Sequence, residues 1–201
     1  MGRISTRSRA TKETSIDISL DLDGTGVTDI DTGIPFFDHM LSQLGKHSGS
    51  DLRVRCVGDL EIDTHHTIED VGIALGEAWR EALGNKAGVR RFASNAVPLD
   101  EALIETALDL SGRPFFVYEI DVSGGTGQTF LLGEPGFDPQ LVEEFWRAFA
   151  TAAMITLHIR MRAGKNTHHI LEASFKSVAR ALRDAVRVEG PLVVPSTKGS
   201  L

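Results

Sequence analysis

A five-residue string of two histidines and a glutamate occurs twice in this chain and constrains its fold more than any other feature. Residues 65–69 (His-His-Thr-Ile-Glu) and 168–172 (His-His-Ile-Leu-Glu) share the pattern His-His-x-x-Glu, and each polar position of the second string lies 103 residues after its counterpart. Imidazole and carboxylate are ligands for transition metals. A single histidine is more often a surface or core residue than a ligand, but two matched strings among seven histidines are not expected by chance. The strings therefore predict a duplicated protein with a doubled metal site.

Composition limits the classes of protein to which the chain can belong. Its 201 residues suit one compact domain, or two small halves that share a core. The formal charge of −7 argues against a general nucleic-acid binder. Cys56 is the single cysteine, which excludes an intrachain disulfide and a thiolate metal cage. The chain has neither an apolar run of the ~20 residues that span a bilayer nor a secretory signal at its start. We therefore expect a cytoplasmic protein that contacts no membrane.

The duplication extends beyond the two strings. Residues 70–83 match residues 173–186, with small residues facing small ones at helical spacing. Each of these helices follows a predicted strand (52–55 and 155–160), and each strand follows a predicted helix (36–44 and 141–152). Further strands are predicted at 15–21, 103–110 and 115–122. We divide the chain into a first half, 1–93, a second half, 94–189, and a tail, 190–201, that is rich in Pro, Gly and Ser and has little periodicity.

Helix geometry indicates that each string serves two ions. Neighbouring helical residues point about 100° apart, so His65 and His66 do not readily bind one ion, while Glu69 is within reach of either. The two strings supply about three ligands per ion, and an octahedral ion such as Mn²⁺ takes more. His39 and Glu144 lie 26 and 24 residues before the two strings and are candidates for further ligands. For His47 and His158, ligation and a structural role remain alternatives.

Four stretches of the sequence carry a resemblance to a known family. They are 37–41 (Phe-Asp-His-Met-Leu), 58–70, 168–173 and 195–199 (Pro-Ser-Thr-Lys-Gly). Together they resemble the imidazoleglycerol-phosphate dehydratases, and the similarity covers residues 7–201. The resemblance implies an α/β protein of the α+β type, with two similar halves of one four-stranded sheet and two helices each, and with the helices packed between the sheets. It also implies two Mn²⁺ ions per active site and a homo-oligomer of 24 subunits whose active sites lie at subunit contacts.

The resemblance also implies roles for individual residues. The metal ligands it implies are His39, His65, His66, Glu69, His168, His169 and Glu172. An eighth ligand position, a histidine in other members, falls on Glu144, whose carboxylate can also bind Mn²⁺. The substrate contacts it implies are Glu13, His47, Arg91, Arg113, Lys176, Ser196, Thr197 and Lys198. Guanidinium and ammonium groups in this set suit a phosphate ester.

The family's reaction removes water from imidazole glycerol phosphate and gives imidazole acetol phosphate. The hydrogen that leaves the glycerol chain is not adjacent to a carbonyl group, so the imidazole ring must serve as the electron sink, with the metals as Lewis acids. Glu172 and Glu13 are the candidate proton carriers, and a metal-bound water is an alternative. His66 is the third residue that we expect to be essential for catalysis.

Two other classes of protein share parts of this pattern. A metal-storing shell without turnover also uses paired carboxylates and histidines, but ferritin-like proteins carry Glu-x-x-His on long bundle helices, and the predicted strands do not fit a bundle. A binuclear metallohydrolase uses similar ions and ligands without the duplicated architecture. Assays of dehydration and of ester cleavage separate the three interpretations.

Overall fold

The computed structural model describes residues 2–201, which form eight strands and four helices in the order expected of a repeat. The first half contains β1 (Ile4–Ala10), β2 (Thr14–Asp21), β3 (Thr28–Asp31), α1 (Pro35–Ser48), β4 (Asp51–Gly58) and α2 (His65–Leu83). The second half contains β5 (Phe92–Leu99), β6 (Ala102–Asp109), β7 (Phe115–Glu119), α3 (Leu141–Ala153), β8 (Thr156–Ala163) and α4 (Thr167–Ala185).

The two sheets have the same topology. Their strand orders are β1-β2-β4-β3 and β5-β6-β8-β7. In each sheet the first three strands are antiparallel, as in the pairs Ile18 with Val54 and Leu108 with Leu157, and the last pair is parallel. The fold class inferred from the resemblance is confirmed by these two four-stranded sheets.

The four helices lie between the sheets and bury the core. Helix α2 packs on β1 and β2, and α4 packs on β5 and β6. Across the middle of the molecule α2 contacts α3, and α1 contacts α4. The facing surfaces are apolar and include the fully buried side chains of Trp79, Phe37, Trp146, Phe149 and Phe175. Burial of such side chains stabilises the fold by about 1.5–3 kcal/mol each.

Helices α2 and α3 approach each other closely because two glycines of α2 face the backbone of α3. A Cβ atom on Gly72 would lie 2.8 Å from the carbonyl oxygen of Phe145, and one on Gly76 would lie 2.5 Å from that of Phe149. The matched positions in α4 carry Phe175 and Ala179, so the two central helix contacts differ in side-chain volume.

All the predicted helices and strands are present, but β1, β3 and β5 were not predicted. These strands expose at least half of their residues, and their sequences lack a long apolar alternation. Strand β7 also ends at Glu119 rather than at residue 122. Within the described part of the chain, none of the helices combines the length and the apolar character needed to cross a membrane.

Candidate metal and active site

Both His-His-x-x-Glu strings lie at the first turns of the longest helices. Helix α2 begins at His65, whose backbone N–H donates to Asp63 Oδ1 at 2.7 Å. Helix α4 begins at Thr167, and the backbone N–H of His169 donates to the side chain of Asn166 at 3.2 Å. Side-chain oxygens of this kind satisfy the free amides of a helix start. The backbone that carries each histidine pair is therefore fixed.

Adjacent histidines point in different directions, as helix geometry requires. The ring centroids of His65 and His66 are 6.4 Å apart with an interplanar angle of 70°, and those of His168 and His169 are 6.3 Å apart at 83°. In each pair the first histidine directs Nε2 toward the glutamate of its own helix. The distance is 3.9 Å from His65 to Glu69 and 3.0 Å from His168 to Glu172.

Helix α1 brings a third ligand to the second string. His39 Nε2 lies 3.0 Å from the same Glu172 Oε2 atom that His168 contacts. The ligand atoms of His39, His168 and Glu172 all lie within 4.8 Å of one another, and in residues 2–201 this is the one group of three or more candidate ligands that converges so closely. The ring of Phe36 packs edge-on against His168, at 5.3 Å between centroids, and fixes its position.

The carboxylate of Glu172 is surrounded by donors. Lys176 Nζ, one helical turn further on, lies 2.5 Å from its second oxygen. Burial would raise the pKa of Glu172, but the hydrogen bonds from Lys176, His39 and His168 outweigh it and lower the pKa to about 2. His47, in the last turn of α1, has a lowered pKa because of its burial and of the nearby charges of Lys176 and Arg180. Glu172 is therefore an anion at any physiological pH.

The first string has different neighbours. His66 Nδ1 lies 3.0 Å from Asp59 Oδ2, and its Nε2 lies 4.0 Å from Glu13 Oε1. Glu13 lies in the β1–β2 turn, and its side chain is half exposed. The hydrogen bond to Asp59 raises the pKa of His66. Glu69 is exposed, and in the described residues it has no partner as close as those of Glu172.

The fourth histidine of the two strings, His169, is held by a residue outside its helix. Its Nδ1 lies 2.8 Å from Glu101 Oε2, in the turn between β5 and β6, and its Nε2 lies 3.8 Å from Asp100 Oδ2. The hydrogen bond from His169 and the backbone amide of Asn166 lower the pKa of Glu101 to about 2. The same hydrogen bond raises the pKa of His169.

One of the basic candidates, Arg91, contacts the C-terminal tail, and another, Lys198, belongs to it. Arg91 has a left-handed backbone (φ 75°), its guanidinium contacts Asp109 at 2.7 Å, and it donates to the carbonyl oxygen of Pro195 at 2.8 Å. Ser196 follows directly, and its hydroxyl accepts the backbone N–H of Lys198 at 3.2 Å. Thr197 and the side chains of Arg113 and Lys198 are exposed. Arg91 thus attaches the tail to the second sheet.

Comparisons with known proteins identify the family to which the chain belongs. A sequence model of the family described as imidazoleglycerol-phosphate dehydratase matches residues 32–182, which is more than half of the chain. The chain belongs to the imidazoleglycerol-phosphate dehydratase family. Membership identifies it as an enzyme, a dehydratase (hydro-lyase) of histidine biosynthesis.

Relatives in this family match the chain along almost its whole length. The dehydratase of Acidothermus cellulolyticus is 55% identical over 199 residues, covering 99% of this chain and 93% of the relative. That of a Parafrankia species is 53% identical and covers 100% of both chains. Among solved structures, the Staphylococcus aureus dehydratase has a TM-score of 0.79 at 35% identity, covering 92% of this chain and 99% of that one. The Pyrococcus furiosus enzyme, solved with (S)-C348, has a TM-score of 0.80 at 34% identity, covering 97% and 100%.

Glu144 occupies the place in the second half that His39 occupies in the first. Each lies ten residues before a left-handed helix C-cap, Gly49 after α1 and Met154 after α3. Glu144 is outside the His39–His168–Glu172 group and contacts Arg147 at 3.7 Å. The dehydratase structure therefore supports the correspondence of the two positions, while ligation by Glu144 stays a prediction.

The donor set fits a divalent transition metal in one place. Two imidazoles and one carboxylate converge at His39, His168 and Glu172, which suits Mn²⁺ or a similar ion with open positions for further ligands. His65, His66, Glu69 and His169 do not complete a second group within the described chain.

Sequence reasoning missed Asp59 and Glu101, the two carboxylates that contact histidine Nδ1 atoms. Asp59 stands inside the stretch 58–70 that carries the resemblance, but the string pattern gives no reason to select it. Glu101 is far from the second string in sequence and is brought to it by the β5–β6 turn. No spacing rule within the strings could have identified either residue.

Proposed function

We propose that this chain dehydrates imidazole glycerol phosphate to imidazole acetol phosphate at a site that holds two Mn²⁺ ions. The observation that carries the proposal is the convergence of His39, His168 and Glu172 within 4.8 Å in a chain that belongs to this family. Bound Mn²⁺ ions would supply Lewis acidity that favours the deprotonated imidazole ring, which donates electrons as hydroxide leaves and accepts those of the C–H bond when the side-chain proton is removed. Cytoplasmic location stays a prediction.

We assign eight ligands to the two ions. His39, His168 and Glu172 contribute to one ion, and the other ligands of the pair are His65, His66, Glu69, His169 and Glu144, with the adjacent histidines of each string on different ions. Because these other ligands do not converge within one chain, we propose that neighbouring copies combine their strings, in a 24-subunit assembly with active sites at the contacts.

Glu13 is the better candidate for proton transfer than Glu172. The Glu172 carboxylate is engaged by Lys176, His39 and His168, and its pKa of about 2 makes it a weak base. Glu13 is half exposed and lies 4.0 Å from His66 Nε2, so it borders the metal ligands without being tied to them. His66 contributes by binding the ion and orienting the ring beside Glu13.

The phosphate group of the substrate is assigned to the basic residues around the tail. Arg91 is occupied by Asp109 and the Pro195 carbonyl, so its role is to position the tail rather than to bind phosphate alone. Arg113, Thr197 and Lys198 are exposed, and with Ser196 they offer donors to the phosphate; one guanidinium nitrogen of Arg113 also donates to the Ser111 carbonyl oxygen at 3.2 Å. Lys176 and His47 lie beside Glu172 and reach the part of the substrate nearest the metal.

Removal and return of metal tests this function. We expect the purified chain to contain Mn²⁺ or another divalent ion, to dehydrate imidazole glycerol phosphate, to lose turnover after chelation and to regain it when Mn²⁺ is added. Metal analysis and a product assay check this result. Bound metal without turnover would favour a storage shell, and cleavage of an ester would favour a hydrolase.

A further inference from the structure

We propose that Asp59 and Glu101 are positioning residues that hold His66 and His169 in the tautomer whose Nε2 atom binds metal. The inference rests on the metal site proposed above and extends it to two residues outside the expected ligand set. It concerns the second histidine of each string, because only that histidine directs Nε2 away from the glutamate of its own helix.

The same contact is made in both halves. His66 Nδ1 lies 3.0 Å and 3.2 Å from the two carboxylate oxygens of Asp59, and His169 Nδ1 lies 2.8 Å from Glu101 Oε2. A carboxylate only accepts hydrogen bonds, so Nδ1 must carry the proton in each pair. In neutral imidazole the other nitrogen then keeps its lone pair, and neutral imidazole is the form that binds metal.

The first histidine of each string has a different arrangement. His65 and His168 direct Nε2 toward Glu69 and Glu172, at 3.9 Å and 3.0 Å, so their own helix orients them. His66 and His169 do not contact the glutamate three residues further on, and their Nδ1 atoms instead contact a carboxylate from elsewhere in the chain. Carboxylates that hold the far nitrogen of a metal-binding histidine commonly fix its orientation and raise its basicity.

The two carboxylates are themselves held in place. The side chain of Asp59 is mostly buried, and its backbone N–H donates to the carbonyl oxygen of Glu13 at 3.1 Å. Glu101 Oε1 accepts the backbone amides of Lys165 and Asn166, at 3.2 Å and 2.8 Å, directly before helix α4. Neither carboxylate is therefore free to move as an unconstrained surface group.

The contact in the two halves is reached from positions that do not correspond in the repeat. Asp59 follows β4, whereas Glu101 lies in the turn between β5 and β6, the turn that corresponds to the one carrying Glu13. A contact copied by duplication would use matched residues. Here two positions that are unrelated in the repeat provide the same contact. The contact is therefore a requirement of the histidine and was not simply copied by the duplication.

Metal affinity measured on the full-length chain tests the proposal. Mn²⁺ alone is the probe, its dissociation constant is obtained by competition with a chelator, and the Tm of the metal-free protein is measured in parallel. Asp59→Ala removes the acceptor, Asp59→Asn keeps an uncharged one, and Glu101→Gln keeps the acceptor for the amides before α4. Glu61→Gln is the control, because it removes one exposed charge from the same loop.

We expect Asp59→Ala to weaken Mn²⁺ binding by about 10–100-fold, Asp59→Asn and Glu101→Gln to weaken it less, and Glu61→Gln to leave it unchanged. The metal-free Tm should stay at the parent value.

Equal affinity in the Asp59→Ala and Glu61→Gln proteins would overturn the proposal. If Asp59→Ala lowers the metal-free Tm, a normally folded Asp59→Asn protein decides: weaker binding supports the proposal, and parent affinity overturns it. A parent chain that binds no Mn²⁺ would contradict the metal site itself, so the two failures are distinguishable.

Discussion

The two His-His-x-x-Glu strings are nearly identical in sequence, yet their surroundings in the chain differ. Glu172 of the second string is mostly buried and contacts His39, His168 and Lys176 at 2.5–3.0 Å. Glu69 of the first string is exposed, and its distance to His65 is 3.9 Å. The comparison teaches that one string is organised by contacts within its own chain, whereas in the described residues the glutamate of the other has no such surroundings, as expected if a second copy completes its ligand group.

The largest expected effect concerns mixed oligomers of two variants, here called hybrid particles, which test whether the two strings of one site come from different copies. Glu69→Gln and Glu172→Gln should each lower turnover by about a thousandfold, since each removes several kcal/mol of metal-assisted stabilisation. If each site takes one string from each of two copies, co-expression of both variants with different tags should leave about a quarter of the sites intact. Turnover of purified hybrids is the measurement. Hybrids as inactive as either variant would mean that both strings of a site come from one copy.

The helices that carry the strings can be compared through their central contacts. Gly76→Ala should destabilise the protein by about 3 kcal/mol, because its Cβ atom would lie 2.5 Å from the Phe149 carbonyl oxygen. Ala179→Gly, at the matched position of α4, should cost only about 1 kcal/mol through lost helix propensity. Thermal unfolding checks both, with Tm decreases of about 6–12 °C and 2–4 °C. Equal decreases would show that the two contacts are equally tight.

A smaller effect concerns the metal-free protein. Glu172→Gln should lower its stability by about 1.5 kcal/mol, because Lys176 loses its charged partner. Glu69→Gln should change stability by less than about 0.5 kcal/mol, as is usual for an exposed side chain. Thermal unfolding in the presence of a chelator gives both values. A Glu69→Gln protein as destabilised as Glu172→Gln would mean that the first string is also organised within one chain.

The sequence predicted the parts of the molecule that have strong periodicity or a repeated pattern. The helices that begin at His65 and Thr167 and the alternating strand Thr14–Asp21 belong to this group. Strands Ile4–Ala10 and Phe92–Leu99 escaped prediction because they lie at sheet edges, where exposed polar residues interrupt the alternation. Their existence depends on pairing with β2 and β6, which a local pattern does not contain.

The residues of the candidate site also fall into those that local spacing predicts and those that only the tertiary structure places. Helical spacing was sufficient to place His168 beside Glu172, since residues four apart share a face. His39 was selected by its distance from the string, and its contact with Glu172 depends on the packing of α1 against α4. Asp59 and Glu101 are brought to the histidines by loops, so only the tertiary structure identifies them.

The matched architecture of the halves has a consequence for how such a chain can diversify. In a homodimer of half-length chains, every substitution would appear twice, and a residue that suits one copy would be imposed on the other. Fusion of the halves removes that coupling, so a histidine at 39 can coexist with a glutamate at 144, and a glycine at 72 with a phenylalanine at 175. Each helix that carries a His-His-x-x-Glu string has thereby become free to specialise independently of its counterpart.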